Sequence, residues 1–436
     1  MRKLDLHWQI LIGMLLGIIF GFFAAEMNWN QLVIDWIKPF GTIFINMLKM
    51  IAVPLIIVSL ITGIAELKDI SKISKMGGKT IGFYLMTTVI AVSIGLLLAN
   101  LIEPGSFIDT EARDQLMEQY AGDAGNKILE AQEQKKQGPL QPIVDIVPDN
   151  FFSAMTDNGK MLQVIFFAIL IGIGLILIPE EKARPVTSFF SSLNEVILKI
   201  IDLIMLAAPI GVFALLAAIL VEIPSFSVLQ ALLVYALTVV AGLAILIFVI
   251  YSSIISFVTK LSYVQFIKGI APAQLVAFST SSSAATLPVT LERVTEHLGV
   301  DEDVASFVLP LGATINMDGT SLYQAVAAIF IAQAFGMDLD LSTQIMIVLT
   351  ATLASIGSAA VPSAGMVMLV IVLGQAGIPE AGLALIFAID RPLDMCRTVV
   401  NVTSDAMVST LIAKSEDKLH VPVVKNWDDY YPPKKD

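Results

Sequence analysis

The sequence predicts an all-α polytopic membrane protein with eight transmembrane segments and two re-entrant helical hairpins. Of its 436 residues, 56% are hydrophobic and only 15% are charged, and the mean hydropathy is +0.81. Apolar runs long enough to cross a bilayer as a helix, about 20 residues, recur from Trp8 almost to Leu411. Such runs are too long for tilted barrel strands, and a soluble globular protein does not have this composition.

Six simple spans are predicted first, near 8–26, 39–66, 80–102, 151–178, 187–220 and 226–257. Basic residues lie at alternate ends of these spans, with four lysines in 68–79 and further basic residues in 182–184 and 260–268. The positive-inside rule places that side, with both chain termini, in the cytoplasm. The start resembles a signal peptide, but nothing soluble follows it, so an uncleaved first span is predicted.

The net charge of −12 is mostly local. Residues 103–150 carry ten acidic and four basic side chains, which predicts a solvated extracytoplasmic loop. The chain has no basic footprint for nucleic acid. Its single cysteine, Cys396, excludes an intrachain disulfide and a cysteine-based metal site.

Four later segments, near 263–296, 300–335, 340–375 and 379–413, depart from the pattern of simple spans. Hydroxyl residues interrupt "QLVAFSTSSSAATLPVT", and two glycines and a proline interrupt "TLASIGSAAVPSAGMVML". Backbone groups freed in this way at membrane depth need protein, water or a ligand as partners. Both segments are therefore predicted to be re-entrant hairpins of two half-length helices. The polar centre of "FVLPLGATINMDGTSLYQ" predicts a helix unwound at "NMDGT".

A hairpin followed by a polar-centred span occurs twice, at 263–335 and at 340–413. Paired interrupted segments in corresponding positions are typical of inverted-repeat transporters, whose binding site lies near the bilayer midplane. No clear residue-by-residue repeat joins the two halves, so this prediction rests on the pattern alone.

The last segment, "DRPLDMCRTVVNVTSD" (390–405), concentrates charge where each mid-bilayer charge costs about 2.5–3.5 kcal/mol. Because a helix advances about 100° per residue, five polar residues share one stripe about 80° wide. These residues are Asp390, Asp394, Arg397, Asn401 and Asp405. A structural ion-pair network would explain one Asp–Arg pair. Here three aspartates face one central arginine, Asp318 adds a fourth carboxylate, and Arg391 could neutralise only Asp394.

Buried carboxylates without a partner either protonate or bind cations. Two carboxylates with freed carbonyls and hydroxyls make an all-oxygen environment that suits a hard cation. Arg397 offers a planar fork that matches a carboxylate in two places. The combination suits a zwitterion that carries an extra acid.

At these residues the chain resembles the glutamate transporter family, the dicarboxylate and amino acid:cation symporters. The resemblance extends from "MLKMIAVPLI" to "RTVVNVTSDA" and is strongest in "STSSSAATLPVT", "LPLGATINMDGTSLYQ", "ASIGSAAVPSAG" and "LDMCRTVVNVTSD". It implies that Arg397 binds the substrate's side-chain carboxylate and that Asp394 binds its amino group. The full substrate set that it implies is Ser281, Ser282, Ser283, Met317, Thr320, Val361, Gly365, Asp394, Arg397, Thr398 and Asn401.

The resemblance also implies three sodium sites, with Na⁺ as the coupling ion. The first set consists of the Asp405 side chain and the carbonyls of Gly312, Asn316 and Asn401. The second consists of Tyr84, Thr87, Thr88, Asn316 and Asp318. The third consists of carbonyls of Thr314, Ser355, Ile356 and Ser358 and requires a closed second hairpin.

The implied architecture is a homotrimer in the plasma (cytoplasmic or inner) membrane, with a lipid-embedded scaffold and a mobile transport domain that moves as an elevator. The scaffold comprises residues 1–79 and 151–220, and the transport domain comprises 80–102 and 226–413. The remaining segments are the acidic loop, 103–150, and a cytoplasmic tail, 414–436.

Single positions refine the expected substrate and coupling ion. Asp405 favours sodium, because many proton-coupled and C4-dicarboxylate relatives have Asn there. Asp394 and Arg397 together indicate an acidic amino acid, L-aspartate or L-glutamate. Gln324 stands where animal members use a titrating glutamate, which predicts no proton cotransport through that position. Many relatives have an extra arginine either in the serine run of the first hairpin or next to Asp394. In this chain Ser281 and Met395 occupy those two positions, and we hypothesise that Arg391, one helical turn away, substitutes for that arginine.

Three alternatives stay open at this stage. A proton- or sodium-coupled dicarboxylate carrier differs only in its substrate and ion. An intramembrane protease would need a base near its serine, yet the only histidines are His7, His297 and His420. An ion channel would not need a saturable substrate site.

Overall fold

The computed structural model describes residues 6–66, 74–119, 144, 147–156, 160–222, 225–259, 261–356 and 364–422. Regular structure within these ranges is helical, apart from one isolated antiparallel bridge between Val300 and Leu419. The predicted all-α class is therefore confirmed for the described part of the chain.

The longer helices follow the predicted segments closely. In chain order they are Leu6–Glu26, Lys38–Glu66, Ser74–Ile102, Met161–Leu177, Glu180–Leu206, Ala208–Glu222, Phe226–Ile245, Ser252–Thr259, Tyr263–Thr280, Ser283–Glu292, Glu302–Ile315, Asp318–Ala334, Leu341–Ile356, Ala364–Gln375 and Leu383–Ser415. Two further helices are Asn30–Leu32, which has 3 residues, and Thr110–Gln119, which has 10. Three π-helical stretches, Val33–Ile37, Leu246–Tyr251 and Arg293–His297, continue neighbouring helices.

Four helical stretches of the described chain are long and apolar enough to cross a membrane. They are Trp8–Glu26, Asn30–Ala65, Met76–Phe107 and Phe226–Thr259. Glu180–Leu206 and Ala208–Glu222 make a fifth if the pair counts as one span. The sequence predicted a single span near 187–220, but the two helices meet at an angle of 51°. Pro209 lies at the bend and has no N–H to donate to the carbonyl one turn earlier.

A stripe of glycines on Leu6–Glu26 allows this helix to lie directly on Ala208–Glu222. A methyl group on Gly17 would lie 2.8 Å from the carbonyl oxygen of Phe213, and one on Gly21 would lie 2.9 Å from Cβ of Leu220. At Gly13 it would collide with the carbonyl of Pro209. The spacing of four residues between these glycines is the small-residue pattern that brings membrane helices into close contact.

The interrupted segments divide as the sequence predicted. Hairpin 1 consists of Tyr263–Thr280 and Ser283–Glu292, and hairpin 2 consists of Leu341–Ile356 and Ala364–Gln375. The two helices of each hairpin pack against each other. Between the hairpins lies the broken helix, which stops at Ile315 and restarts at Asp318. The interruption is therefore narrower than the predicted "NMDGT", because Asp318, Gly319 and Thr320 already form the first turn of the second half.

The last helix, Leu383–Ser415, is central to the packing and contacts both halves of the broken helix and hairpin 1. Asp318–Ala334 is buried almost throughout and packs along Ser74–Ile102. Polar side chains on these three helices therefore face one another in the protein interior, away from the outer surface.

Candidate binding site

The charged stripe of the last helix is buried and internally paired. Arg397, 0% exposed, places Nη1 2.9 Å from Oδ1 of Asp390 and Nη2 2.7 Å from Oδ1 of Asp394. Arg391 Nη1 lies 3.3 Å from Oδ2 of Asp394, as predicted from their spacing of three residues. Asp394 therefore lies between two guanidinium groups, and Arg397 lies between two carboxylates.

An aromatic ring covers the guanidinium of Arg397. Its Cζ lies 3.8 Å from the ring centroid of Tyr323, on the second half of the broken helix. The Tyr323 hydroxyl lies 2.7 Å from the sulfur of Met366 in hairpin 2. A cation over an aromatic face is attracted by the ring quadrupole, and burial strengthens the attraction. Tyr323 thus fixes the plane of the arginine fork and joins it to hairpin 2.

Asn401 bridges the last helix to the restart of the broken helix. Its Oδ1 accepts the Gly319 N–H at 2.8 Å, and its Nδ2 lies 3.4 Å from Oγ1 of Thr320 and 3.3 Å from the sulfur of Met317. These residues of the predicted substrate set are therefore brought together. The Thr398 hydroxyl donates to the Asp394 carbonyl at 2.9 Å within its own helix.

The two hairpins reach the same region from either side. Ser281 adopts a left-handed backbone, with φ of 52°, and its buried hydroxyl has no hydrogen-bond partner among the described residues. Ser282 caps the second helix of hairpin 1 by accepting the Ala285 N–H at 3.2 Å, and Ser283 follows, buried, in the first turn. Helix N-termini and free hydroxyls are suitable groups for binding an anion.

Hairpin 2 contributes Gly365, whose hydrogen faces the arginine. A methyl group there would lie 2.8 Å from Cγ2 of Thr320 and 3.7 Å from Cζ of Arg397. The Gln324 amide donates to the Gly365 carbonyl at 3.3 Å. Val361, also predicted for the substrate set, lies outside the described residues.

Asp405 anchors the first predicted sodium set. Its Oδ1 accepts the side-chain amide of Asn316 at 2.8 Å, and both residues are buried. Gly312 lies so near that a methyl group would collide with Oδ1 of Asp405 and with the Tyr84 hydroxyl. Oxygen atoms therefore approach one another where the backbone of the broken helix leaves its regular hydrogen bonding.

Asp318 anchors the second predicted set and is 0% exposed. Its Oδ1 lies 3.3 Å from Oγ1 of Thr87 and 2.8 Å from Oγ1 of Thr88. Both hydroxyls also lie within 3.0 Å of the Tyr84 carbonyl, one turn back on their own helix. These threonine hydroxyls therefore bond back to their own helix and also contact the Asp318 carboxylate.

The third predicted set is described in part. Ser355, at the end of the first helix of hairpin 2, places its hydroxyl 3.4 Å from the Ile315 carbonyl and 3.0 Å from the Thr352 carbonyl. Thr314 and Ile356 lie at the same two helix ends, next to Ile315 and Ser355. Ser358 lies outside the described residues.

Sequence reasoning missed several partners of these groups. Tyr251 and Ser404 each donate a hydroxyl to Oδ2 of Asp318 at 2.7 Å. Asp390 was placed on the stripe but not among the site residues, and Tyr323 was not included in the predicted substrate set. Ser404 stands beside Asp405 in a quoted motif, which is a usable signal. Tyr251 ends a π-helical stretch of an otherwise apolar span, and its sequence context carries no such signal.

The site has a charge imbalance that a ligand can relieve. Four buried carboxylates, Asp318, Asp390, Asp394 and Asp405, face two buried guanidinium groups, Arg391 and Arg397. Within the described chain, neither Asp318 nor Asp405 lies within 4.0 Å of a basic side chain. Buried carboxylates without a basic partner either protonate or bind cations.

Comparisons with known proteins show the family of the chain. A sequence model of the sodium:dicarboxylate symporter family matches residues 6–415. The proton/sodium-glutamate symport protein of Geobacillus stearothermophilus is 38% identical over 419 residues, which cover 95% of this chain and 96% of that protein. The proton/glutamate-aspartate symporter of Escherichia coli K12 is 37% identical over 424 residues, which cover 95% of this chain and 94% of that protein. Human excitatory amino acid transporter 3 is 35% identical over 458 residues, covering 96% and 87%. The chain therefore belongs to the sodium:dicarboxylate symporter family and is a membrane transporter rather than an enzyme.

Proposed function

We propose that this protein is a sodium-coupled symporter of acidic amino acids, L-aspartate or L-glutamate. The observation that carries the proposal is the buried Arg397, which pairs with Asp390 and Asp394 in a protein interior that also contains Asp318 and Asp405, two buried carboxylates without a basic side chain within 4.0 Å among the described residues. One buried fork for a carboxylate, one acid for an ammonium group and two cation positions describe a zwitterionic acid that enters with sodium.

Substrate binding would exchange ion pairs and leave few charges unpaired. The side-chain carboxylate would take the fork of Arg397, and the amino group would take Asp394, which Arg391 also contacts. The α-carboxylate would accept from hairpin 1 around Ser281 and Ser283 and from Asn401. The substrate carboxylate would replace an aspartate as the partner of Arg397, and the substrate amino group would replace a guanidinium as a partner of Asp394. The new ion pairs would therefore offset the cost of removing the substrate's charges from water.

Sodium ions would neutralise the remaining carboxylates. Na⁺ at Asp405 would use the backbone carbonyls of Gly312, Asn316 and Asn401, and Na⁺ at Asp318 would use hydroxyls that already surround it. These oxygens suit a hard cation. Occupation would also make the site less repulsive to an anionic substrate, which couples the two ligands. A third ion at the Ser355 end of hairpin 2 completes the proposal.

The proposed transport cycle follows the resemblance described above. Residues 80–102 and 226–413 form a transport domain that moves as an elevator against a scaffold of 1–79 and 151–220. The assembly is a homotrimer in the plasma (inner) membrane, with both termini in the cytoplasm. The mutual packing of hairpin 1, the broken helix and the last helix supports their movement as one unit.

Uptake of labelled L-aspartate into proteoliposomes tests the proposal. An inward sodium gradient at clamped pH should drive uptake, whereas an inward proton gradient without sodium should not. Uptake driven by protons alone would contradict the sodium assignment, because Asp405 would then act as a protonated acid. The relatives' printed names include proton coupling, so both gradients need to be imposed separately.

The second candidate is a C4-dicarboxylate carrier, which the name of the family favours. Succinate has no amino group. When its carboxylate binds Arg397, Asp394 would lose that guanidinium and gain no ammonium group in return. Succinate should therefore compete with aspartate at least about 100-fold more weakly than unlabelled aspartate, since mispairing a buried charge costs several kcal/mol. Equal competition would favour the dicarboxylate carrier.

A further inference from the structure

A second cluster of ionisable side chains lies at the end of hairpin 1, away from the site described above. Glu292 ends the second hairpin helix, and the π-helical turn Arg293–His297 follows it. One ligand atom from each of Glu292, Glu296 and His297 lies within 4.8 Å of the other two. His297 is 3% exposed, and both glutamates are half-buried.

The π-helical turn is what brings the three side chains together. In a regular α-helix His297 would lie about 140° around the axis from Glu292, because each residue advances about 100°. A π-helix bonds residue i to i+5 and places Glu292 and His297 one turn apart. Glu296, four residues after Glu292, then falls on the same face. Stretches of this kind are frequent at functional sites.

The two glutamates of the cluster both interact electrostatically with Arg293, which follows Glu292 in the chain. Arg293, between the glutamates in sequence, directs its Nε to the Gly269 carbonyl at 2.7 Å. Within the described chain, no basic side chain lies within 4.0 Å of either carboxylate. Two carboxylates and an imidazole therefore converge, with the imidazole held in place by burial.

We propose that Glu292, Glu296 and His297 bind a divalent transition-metal ion, Zn²⁺ or an ion of similar chemistry. Zn²⁺ accepts both imidazole nitrogen and carboxylate oxygen as ligands, and water can complete the tetrahedron. Mg²⁺ and Ca²⁺ prefer oxygen-only shells, so the imidazole selects against them. The metal would hold the π-helical turn between hairpin 1 and the broken helix. This inference does not depend on the proposed transport function.

Zinc titration of tag-free, EDTA-treated protein in detergent and excess NaCl tests the proposal. A chromogenic chelator reports free Zn²⁺, and Co²⁺ absorbance reports the ligand geometry. We expect one Zn²⁺ per protomer, a zinc-dependent rise in Tm, and no displacement by Mg²⁺ or Ca²⁺. The sequence has three histidines and one cysteine, so few other groups compete for the metal.

Variants then assign the ligands. Glu292→Gln and Glu296→Gln keep the side-chain size and should weaken zinc binding at least about tenfold, the loss seen when a metal's ligand shell is weakened. Glu302→Gln, an exposed glutamate outside the cluster, is the matched control and should bind zinc as the parent protein does. His297 is buried, so its replacement is not needed for the assignment. Absence of stoichiometric binding, or equal affinity in both cluster variants and the control, would overturn the proposal.

Discussion

The first half of the last helix and the segment that follows its end both carry ion pairs between carboxylates and basic groups, but the two sets of pairs differ in burial. The buried cluster, Asp390, Arg391, Asp394 and Arg397, is enclosed by helices, and the Arg397 side chain is 1% exposed. The surface clasp lies just beyond the helix, where Lys418 contacts Asp301 at 3.3 Å and Asp303 at 3.4 Å. There the Lys418 side chain is 41% exposed.

The difference shows why only the buried cluster can hold a ligand strongly. Exposed pairs contribute about 0–1 kcal/mol, because water competes with them and salt screens them. Removing one partner of a buried pair costs about 3–5 kcal/mol. A substrate that exchanges partners inside the cluster is therefore selected by charge and geometry, whereas the clasp only ties two surface segments together.

Arg397→Ala should give the largest effect. It would leave Asp390 and Asp394 buried without their shared cation and would remove the carboxylate fork. We expect sodium-driven aspartate uptake to fall at least about 100-fold, which corresponds to about 2.8 kcal/mol. Reconstituted uptake measures this, and size-exclusion chromatography checks folding. Lys418→Ala is the control, and substantial uptake by Arg397→Ala would remove the functional distinction between the two clusters.

Asp405→Asn should give the second-largest effect, and it should weaken the binding of sodium rather than the binding of the substrate. The substitution keeps the shape but removes a buried carboxylate that has no ion pair among the described residues. We expect the half-saturating sodium concentration to rise at least about tenfold, or about 1.4 kcal/mol. Asp303→Asn, in the surface clasp, provides the matched control. An unchanged sodium dependence in Asp405→Asn would mean that this carboxylate is not a ligand.

Arg391→Ala should have a smaller effect on aspartate affinity. Arg391 shares Asp394 with Arg397 and adds a positive charge to a site that receives an anionic substrate. We expect the Kd for aspartate to rise about three- to tenfold, or about 0.7–1.4 kcal/mol. Sodium-dependent binding measured by calorimetry gives this value. If the Kd is unchanged, Arg391 does not substitute for the extra arginine of relatives.

Lys418→Ala should change least. We expect unchanged uptake and only a small loss of stability, which disappears in high salt because exposed charges are screened. Partial burial raises the pKa of Asp301, but the hydrogen bonds from the Asp303 N–H and from Lys418 outweigh it. The pKa of Asp301 is therefore lowered from its ordinary value. The clasp's contribution is therefore complete above the ordinary aspartate pKa, about 3.9, and is lost as the pH falls through the lowered value. Thermal unfolding at several pH and salt values measures it; a loss of uptake would give the clasp a transport role.

The sequence was most informative where local periodicity decides structure. Helical spacing placed Asp390, Asp394, Arg397, Asn401 and Asp405 on one face, and the structure puts all five in the interior. Interruptions of the apolar pattern by hydroxyl residues, by glycine and proline, and by a polar centre likewise predicted hairpin 1, hairpin 2 and the broken helix, respectively. These features depend on residues near one another in the chain.

Long-range partners could not be predicted in the same way. Tyr251 reaches Asp318 across 67 positions of sequence, and this contact depends on how two helices pack. The bend at Ala207 was missed because residues 187–220 were interpreted as one continuous span. The convergence of His297 with two glutamates depends on a π-helical turn, which no residue pattern announced.

The glycine stripe on the first helix has a consequence for synthesis of the chain. Gly13, Gly17 and Gly21 lie against a helix that begins about 190 residues later, at Ala208. At about 5–20 residues per second, translation needs roughly 10–40 s to reach that partner. During this interval the first helix has no neighbour to cover its groove, so a lipid chain or another nascent segment would occupy it. Final assembly of the pair is therefore a late step, although one of its members is made first.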